Sequence, residues 1–202
     1  MPRSPLTGAN VSLIDWSKKL GSVNQPGVPT LRSVDHVAVT VPDLDAAVAF
    51  FVDHFGGELI FYDGPFADPD GDGMRRRLNV DPTATCRLAM VRLGLHTNLE
   101  LFEYEAPDRS TTEPRNSDIG GHHIGFYVDD IDAGYEYVRS IPGVVVMEGP
   151  NGVDAHAPVA GQRWFYFLTP WGMQLELTSC AGEGFYEGLP GARMAPPSRR
   201  WR

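Results

Sequence analysis

The sequence predicts an α+β protein made of two tandem βαβββ modules. Two echoes and one change of period predict it. The segment from Asp35 to Ala47 recurs at 122–134, with His36 on His123, Val41 on Val128, Asp43 on Asp130, Asp45 on Asp132 and Ala46 on Ala133. A second echo, at a shorter offset, sets Leu99-Glu100-Leu101 on Leu175-Glu176-Leu177. Within each copy the apolar spacing switches from every second residue to every third or fourth, a strand running into a helix.

The first 31 residues are rich in Pro and Gly and read as an extension, with one short helix expected at Asp15–Leu20. The first module spans 32–106. Its opening strand alternates, with Val37, Val39 and Val41 on one face and His36, Ala38 and Thr40 on the other. Asp43 is a good N-cap for a helix carried by Leu44, Ala47, Val48 and Phe51, and Gly56-Gly57 stops it. A strand follows at Glu58–Tyr62. Residues 63–83, rich in Asp, Gly and Pro, form a long connection with a short helix expected at Met74–Leu78. Strands Cys86–Leu93 and Asn98–Tyr104 then meet at a tight turn over Gly94–Thr97.

A linker occupies 107–119 and the second module 120–179. Its strand runs from His123 to Val128. Its helix follows the Asp130 cap with Ile131, Gly134, Tyr135, Val138 and Ile141 inward, and ends at Pro142-Gly143. Strands are expected at Val144–Met147, Arg163–Leu168 and Met173–Thr178, the last two joined by Thr169-Pro170-Trp171-Gly172. The first offset exceeds the second by eleven residues, so the first module carries an insertion, placed in 63–83. Residues 180–202 form a Gly-, Pro- and Arg-rich tail expected to lie on a neighbouring surface.

The 202 residues, 42% hydrophobic and 21% charged, suit a globular protein with a substantial core. A formal charge of −9 argues against a nucleic-acid surface. Arg75-Arg76-Arg77 reads as a solvated helix face, or else as an anion clamp. No apolar run is long enough for a membrane span or a signal peptide, so a cytoplasmic protein without membrane partners is expected. Cys86 and Cys180 have no metal-binding or disulfide-framework spacing and read as small buried hydrophobes.

Alternation puts His36 and His123, and likewise Glu100 and Glu176, on the strand faces turned away from the helices. Leu99, Leu101, Leu175 and Leu177 take the helix side. Two imidazoles and two carboxylates on one concavity would suit a borderline divalent ion such as Mn, Co, Ni, Zn or Fe(II), with positions left for water or substrate. Alone, each would read as a structural histidine or a solvent-facing glutamate; their joint recurrence favours ligation. His122 should point to the opposite face and pack. His54 and His96 read as solvated. His156 reads as a loop surface residue, with an acid role over the site as the alternative. Trp164, Tyr166, Tyr127 and Phe102 are candidate pocket walls, and alternation alone leaves open whether Trp164 and Tyr166, or Phe165 and Phe167, face inward.

Residues 33–179 resemble the vicinal oxygen chelate superfamily, which includes glyoxalase I, methylmalonyl-CoA epimerase, extradiol dioxygenases and the fosfomycin and bleomycin resistance proteins. The resemblance rests on Val34-Asp35-His36-Val37-Ala38, on Gly120-Gly121-His122-His123-Ile124 running into Val128-Asp129-Asp130-Ile131-Asp132-Ala133, and on Thr169-Pro170-Trp171-Gly172-Met173-Gln174-Leu175-Glu176-Leu177. The Gly-Gly-His-His stretch looks most like the epimerase branch. The resemblance implies a half-open barrel of two modules around one divalent metal held by His36, Glu100, His123 and Glu176. It implies a small-molecule substrate that chelates through adjacent oxygens, and Lewis-acid stabilisation of a developing enolate or enediolate. Glu100 and Glu176 become joint ligand and catalytic-base candidates, and a homodimer is expected. The methylmalonyl-CoA epimerases also use a non-ligand Glu on the third strand of the first module. The matching stretch Cys86–Arg92 has none, a departure that bears on the substrate and not on the metal chemistry.

The expected activity is a metal-dependent isomerase or epimerase moving a proton alpha to a carbonyl. The alternatives, in order, are a glyoxalase I-like carbon–sulfur lyase, an extradiol-type dioxygenase, for which Glu100 would be surplus, and a metal-free antibiotic-binding protein.

Overall fold

The computed structural model describes residues 28–157, 159–180 and 196–201. The helix expected at Asp15–Leu20 lies outside them, as does most of the tail. The first module comprises β1 (Val37–Thr40), α1 (Leu44–Phe55), β2 (Glu58–Phe66), α2 (Gly73–Leu78), β3 (Thr85–Leu93) and β4 (Thr97–Glu105). The second comprises β5 (Ile124–Tyr127), α3 (Ile131–Arg139), β6 (Val145–Val146), β7 (Asn151–Gly152), β8 (Gln162–Leu168) and β9 (Gln174–Cys180). The modules form two separate sheets, ordered β1-β4-β3-β2 and β5-β9-β8-β6, with β7 beside β8. In each sheet the first strand runs parallel to the last, Ala38 opposite Glu100 and Gly125 opposite Glu176.

Both long helices start where the sequence says. The Asp43 carboxylate accepts from the Ala46 N–H at 2.9 Å, and Asp130 accepts from the N–H groups of Asp132 and Ala133. Gly56 ends α1 at φ 61°, a left-handed conformation that costs glycine little. Helix α3 stops at Arg139, three residues short of Pro142, where the Ser140 hydroxyl donates to the Tyr137 carbonyl at 2.6 Å. The chain continues as a looser turn that still buries Ile141.

Strand β2 runs to Phe66, through the Asp63-Gly64-Pro65 stretch that the sequence suggested as the start of a connection; a register irregularity between Asp63 and Phe66 absorbs Gly64 and Pro65, and another lies at Ile60. The insertion is therefore the segment between β2 and β3 that carries α2.

One core joins the modules. Phe51, Leu44, Leu99, Leu101, Phe165, Phe167 and Leu175 are fully buried, each stabilising the fold by about 1.5–3 kcal/mol. Helix α1 lies on its own sheet and also meets the second module. Phe50 contacts Trp171 with ring centroids 5.2 Å apart, and Phe55 contacts Phe126 at 4.7 Å and Phe167 at 6.2 Å. At the far end of the chain Trp201 returns to the first module. Its indole N–H donates to the Gly56 carbonyl at 3.3 Å and its ring covers Gly94. No helix among the described residues is long and apolar enough to cross a membrane.

Candidate metal centre and catalytic face

With Leu99, Leu101, Leu175 and Leu177 buried beneath the helices, the intervening Glu100 and Glu176 fall on the open faces. The histidines immediately precede β1 and β5 and reach the same faces. His36 Nε2 lies 3.3 Å from Glu100 Oε2, and His123 Nε2 lies 3.1 Å from Glu176 Oε2. The carboxylates are the more sheltered members, 17% and 16% exposed against 39% and 34% for the imidazoles. Ala38 and Gly125 sit opposite the glutamates. A Cβ on Gly125 would stand 3.4 Å from Glu176 Oε2, so small residues here keep the imidazole–carboxylate approach open.

Each imidazole is oriented through its other nitrogen. His36 Nδ1 lies 2.9 Å from Asp35 Oδ2, and the Asn98 amide steadies the Asp35 carbonyl at 3.0 Å. His123 Nδ1 faces Asn116 Oδ1 of the linker at 3.4 Å. An Nδ1–H donated to oxygen leaves a lone pair on Nε2, pointed at a carboxylate oxygen that also has only lone pairs. Two acceptors at this separation are reconciled by a proton or by a cation. The Asp35 hydrogen bond raises the His36 pKa, with Glu100 adding to it against partial burial. Burial raises the Glu176 carboxyl above its ordinary range, with His123 opposing.

The donor chemistry of both pairs fits a divalent ion of the kind that binds imidazole and carboxylate together. The structure brings the four predicted donors together two by two. Among the described residues, no group of three or more His, Cys, Asp or Glu side chains is arranged to hold a metal. Each open face carries one imidazole and one carboxylate of the four predicted donors.

The remaining histidines fall elsewhere. His122 is exposed, its ring nitrogen 3.1 Å from the Gly120 carbonyl, and does not pack as expected. His54 is half-buried against Phe50 and meets the Tyr137 hydroxyl at 3.3 Å, so it links the helices and is not solvated as expected. His96 and His156 are exposed. Arg75, Arg76 and Arg77 form an exposed face of α2, with Arg76 paired to Asp72. Cys86 is buried, while Cys180 is half-buried.

The question left open on β8 has a definite answer. Phe165 is buried against Tyr135 of α3 and Phe167 against Phe55 of α1, and Tyr166 stands beside the metal-ligand candidates, its ring 5.0 Å from His123. Trp164 follows Tyr166 on the same face at 4.9 Å. Burial, then the neighbouring Glu176 charge, raises the Tyr166 pKa. A sequence signal for this orientation exists. Arg87 and Arg163 occupy equivalent positions, and each pairs with the first-turn aspartate of its own helix, Asp45 or Asp132, at 3.0 and 2.7 Å. The odd-numbered residues of β8 must then face the helix. Asp35 and Asn116 were also missed. Neither is repeated in the other module, so the echo could not find them.

Residues 35–160 match the Glyoxalase/Bleomycin resistance protein/Dioxygenase superfamily. A protein of Actinomyces sp named 2-epi-5-epi-valiolone epimerase is 50% identical over 175 residues, covering 87% of this chain and 94% of that protein. A glyoxalase family protein from Bacillus cereus superposes with a TM-score of 0.60 at 20% identity, covering 78% of this chain and 100% of its own. One from Enterococcus faecalis gives 0.51 at 20% identity, covering 73% and 97%. The two solved structures speak for the fold, and the expectation of an epimerase-type enzyme agrees with the Actinomyces relative. The chain belongs to the Glyoxalase/Bleomycin resistance protein/Dioxygenase superfamily.

Proposed function

We propose that the protein is a metal-dependent epimerase that inverts the carbon next to the carbonyl of a hydroxylated cyclic ketone of the valiolone type. The observation that carries this reading is the pair of matched His–Glu couples, His36 with Glu100 and His123 with Glu176, on the open faces of two equivalent sheets. The 50% identity to a 2-epi-5-epi-valiolone epimerase supplies the substrate class.

A divalent ion, when bound, would polarise the ketone oxygen and acidify the adjacent C–H. His36, Glu100, His123 and Glu176 would hold it. Inversion requires a proton to leave one face of the α carbon and another to arrive on the opposite face. Glu100 and Glu176 belong to different sheets, which supports one acid–base group on each side of the substrate. The ionised carboxylate takes the α proton, the carbon becomes planar, and the protonated carboxyl returns a proton to the other face.

Half a donor set on each face is best completed by a second copy of the chain. An exposed run along β2 that includes Leu59, Ile60, Phe61 and Phe66 supports burial of the first module's open side in a homodimer. A cytoplasmic setting belongs to the same proposal, on the sparse cysteine content.

The test is incubation of metal-loaded protein with 2-epi-5-epi-valiolone in D2O. Deuterium should enter next to the carbonyl and the epimer should accumulate. A metal-loaded protein that yields neither would overturn the reading.

A further inference from the structure

The two open faces come from equivalent strands and have diverged in chemistry. Where the first module places Cys86, Leu88 and Phe102, the second places Gln162, Trp164 and Thr178. One set is apolar or nearly so. The other carries an amide, an indole and a hydroxyl.

We propose that Gln162, Thr178 and Trp164 form the subsite that holds the substrate hydroxyls remote from the reacting carbonyl. This rests on the epimerase reading above and names the part of the same site that selects a polyol. The Thr178 hydroxyl donates to the Arg163 carbonyl at 3.3 Å and accepts from Gln162 Nε2 at 2.6 Å. That chain fixes which end of the Gln162 amide faces Thr178, because the hydroxyl proton is already used on Arg163. It leaves the amide oxygen and one N–H for a ligand. An acceptor and a donor held side by side match two neighbouring hydroxyl groups, each of which both donates and accepts.

Position agrees with that role. Trp164 lies opposite Thr178, and Tyr166 lies opposite Glu176, on adjacent strands. Successive same-face residues on a strand are about 7 Å apart, which is the span of a substituted six-membered ring. A substrate with its carbonyl at Glu176 thus lays its far carbons over Trp164, whose flat apolar ring suits their C–H face. The equivalent Leu88 offers no such plane, and Cys86 and Phe102 offer no comparable hydrogen-bonding pair. One module therefore reads the hydroxyls, while in the other Cys86 and Phe102 are taken up by packing with Met74 of α2.

The experiment compares kcat/KM for 2-epi-5-epi-valiolone with that for 2-hydroxycyclohexanone, which has an α-hydroxyketone and no remote hydroxyls. Both are followed by α-hydrogen exchange in D2O with the metal-loaded full chain. Wild type should prefer the polyol. Gln162→Met and Thr178→Val should each reduce that preference about tenfold, chiefly through KM, while Thr178→Ser retains it. Metal content and circular dichroism report whether each variant is folded, and Thr178→Val, close to isosteric, reads the same subsite if Gln162→Met does not fold. An active wild type whose preference survives both substitutions overturns the subsite and leaves the epimerase reading intact. A wild type that exchanges neither ketone overturns both. Equal kcat/KM for the two ketones in wild type overturns the subsite alone.

Discussion

The two modules share what folds them and a His–Glu couple, and differ in the residues around that couple. Each has an aspartate-capped helix, buried leucines flanking the glutamate, and an arginine tied to the helix's first turn. Each has one His–Glu couple. The orienting group behind the histidine differs, however: the Asp35 carboxylate in the first, and the linker amide Asn116 in the second. The outward faces differ more: Cys86 and Phe102 of the first pack with Met74 of α2, while Gln162 and Thr178 at the equivalent places in the second hydrogen-bond to one another. The modules agree where residues bury the shared core or form the His–Glu couples, and differ at the other outward-facing positions.

The sharpest way to break the symmetry is to remove each carboxylate in turn. Glu100→Gln and Glu176→Gln should each lower kcat by about 10²–10⁴-fold, the range for a positioned acid–base group. If the two carboxylates serve opposite faces, each variant loaded with metal should still exchange the α hydrogen of one epimer while interconverting neither. One variant that exchanges neither epimer, beside another that still exchanges and interconverts both, would assign both steps to a single carboxylate.

A smaller effect should separate the orienting groups. Asp35→Asn should weaken metal binding about 10–100-fold, the usual cost of losing a partner behind a metal-ligating histidine. Asn116→Ala should weaken it less, because a neutral amide at 3.4 Å gives the imidazole less than a carboxylate at 2.9 Å. Metal titration of the two variants decides the order, and a larger loss for Asn116→Ala would reverse the comparison.

The smallest effect tests the cores. Gly134 in α3 occupies the place of fully buried Ala47 in α1, and a Cβ there would come within 3.0 Å of Leu177 Cδ1. Gly134→Ala should therefore cost about 1 kcal/mol in denaturant unfolding, overpacking outweighing the gain in helix propensity. A gain in stability would show that Leu177 yields and that the second helix is seated more loosely than the first.

Much of this was legible because the signals are local and doubled. Caps, alternation and the Leu-Glu-Leu triplets predicted both helices, the principal strands and the faces of all four donors. The division of those donors into two couples was not legible. A repeat reports equivalence between modules and says nothing about which open face meets which. The orientation of β8 escaped because all four of Trp164, Phe165, Tyr166 and Phe167 are large aromatics, so periodicity alone had too little contrast to use. Strand β2 ran past Gly64-Pro65 because pairing with β3 outweighed the local turn preference.

Helix α1 carries a further consequence. Phe50 and Phe55 complete the interior of the second module as well as their own, so neither half can be severed without baring an aromatic surface in the other. The twin units share a single stability, and damage to one is felt by both. The cavity walls are then the surfaces with most latitude to evolve apart.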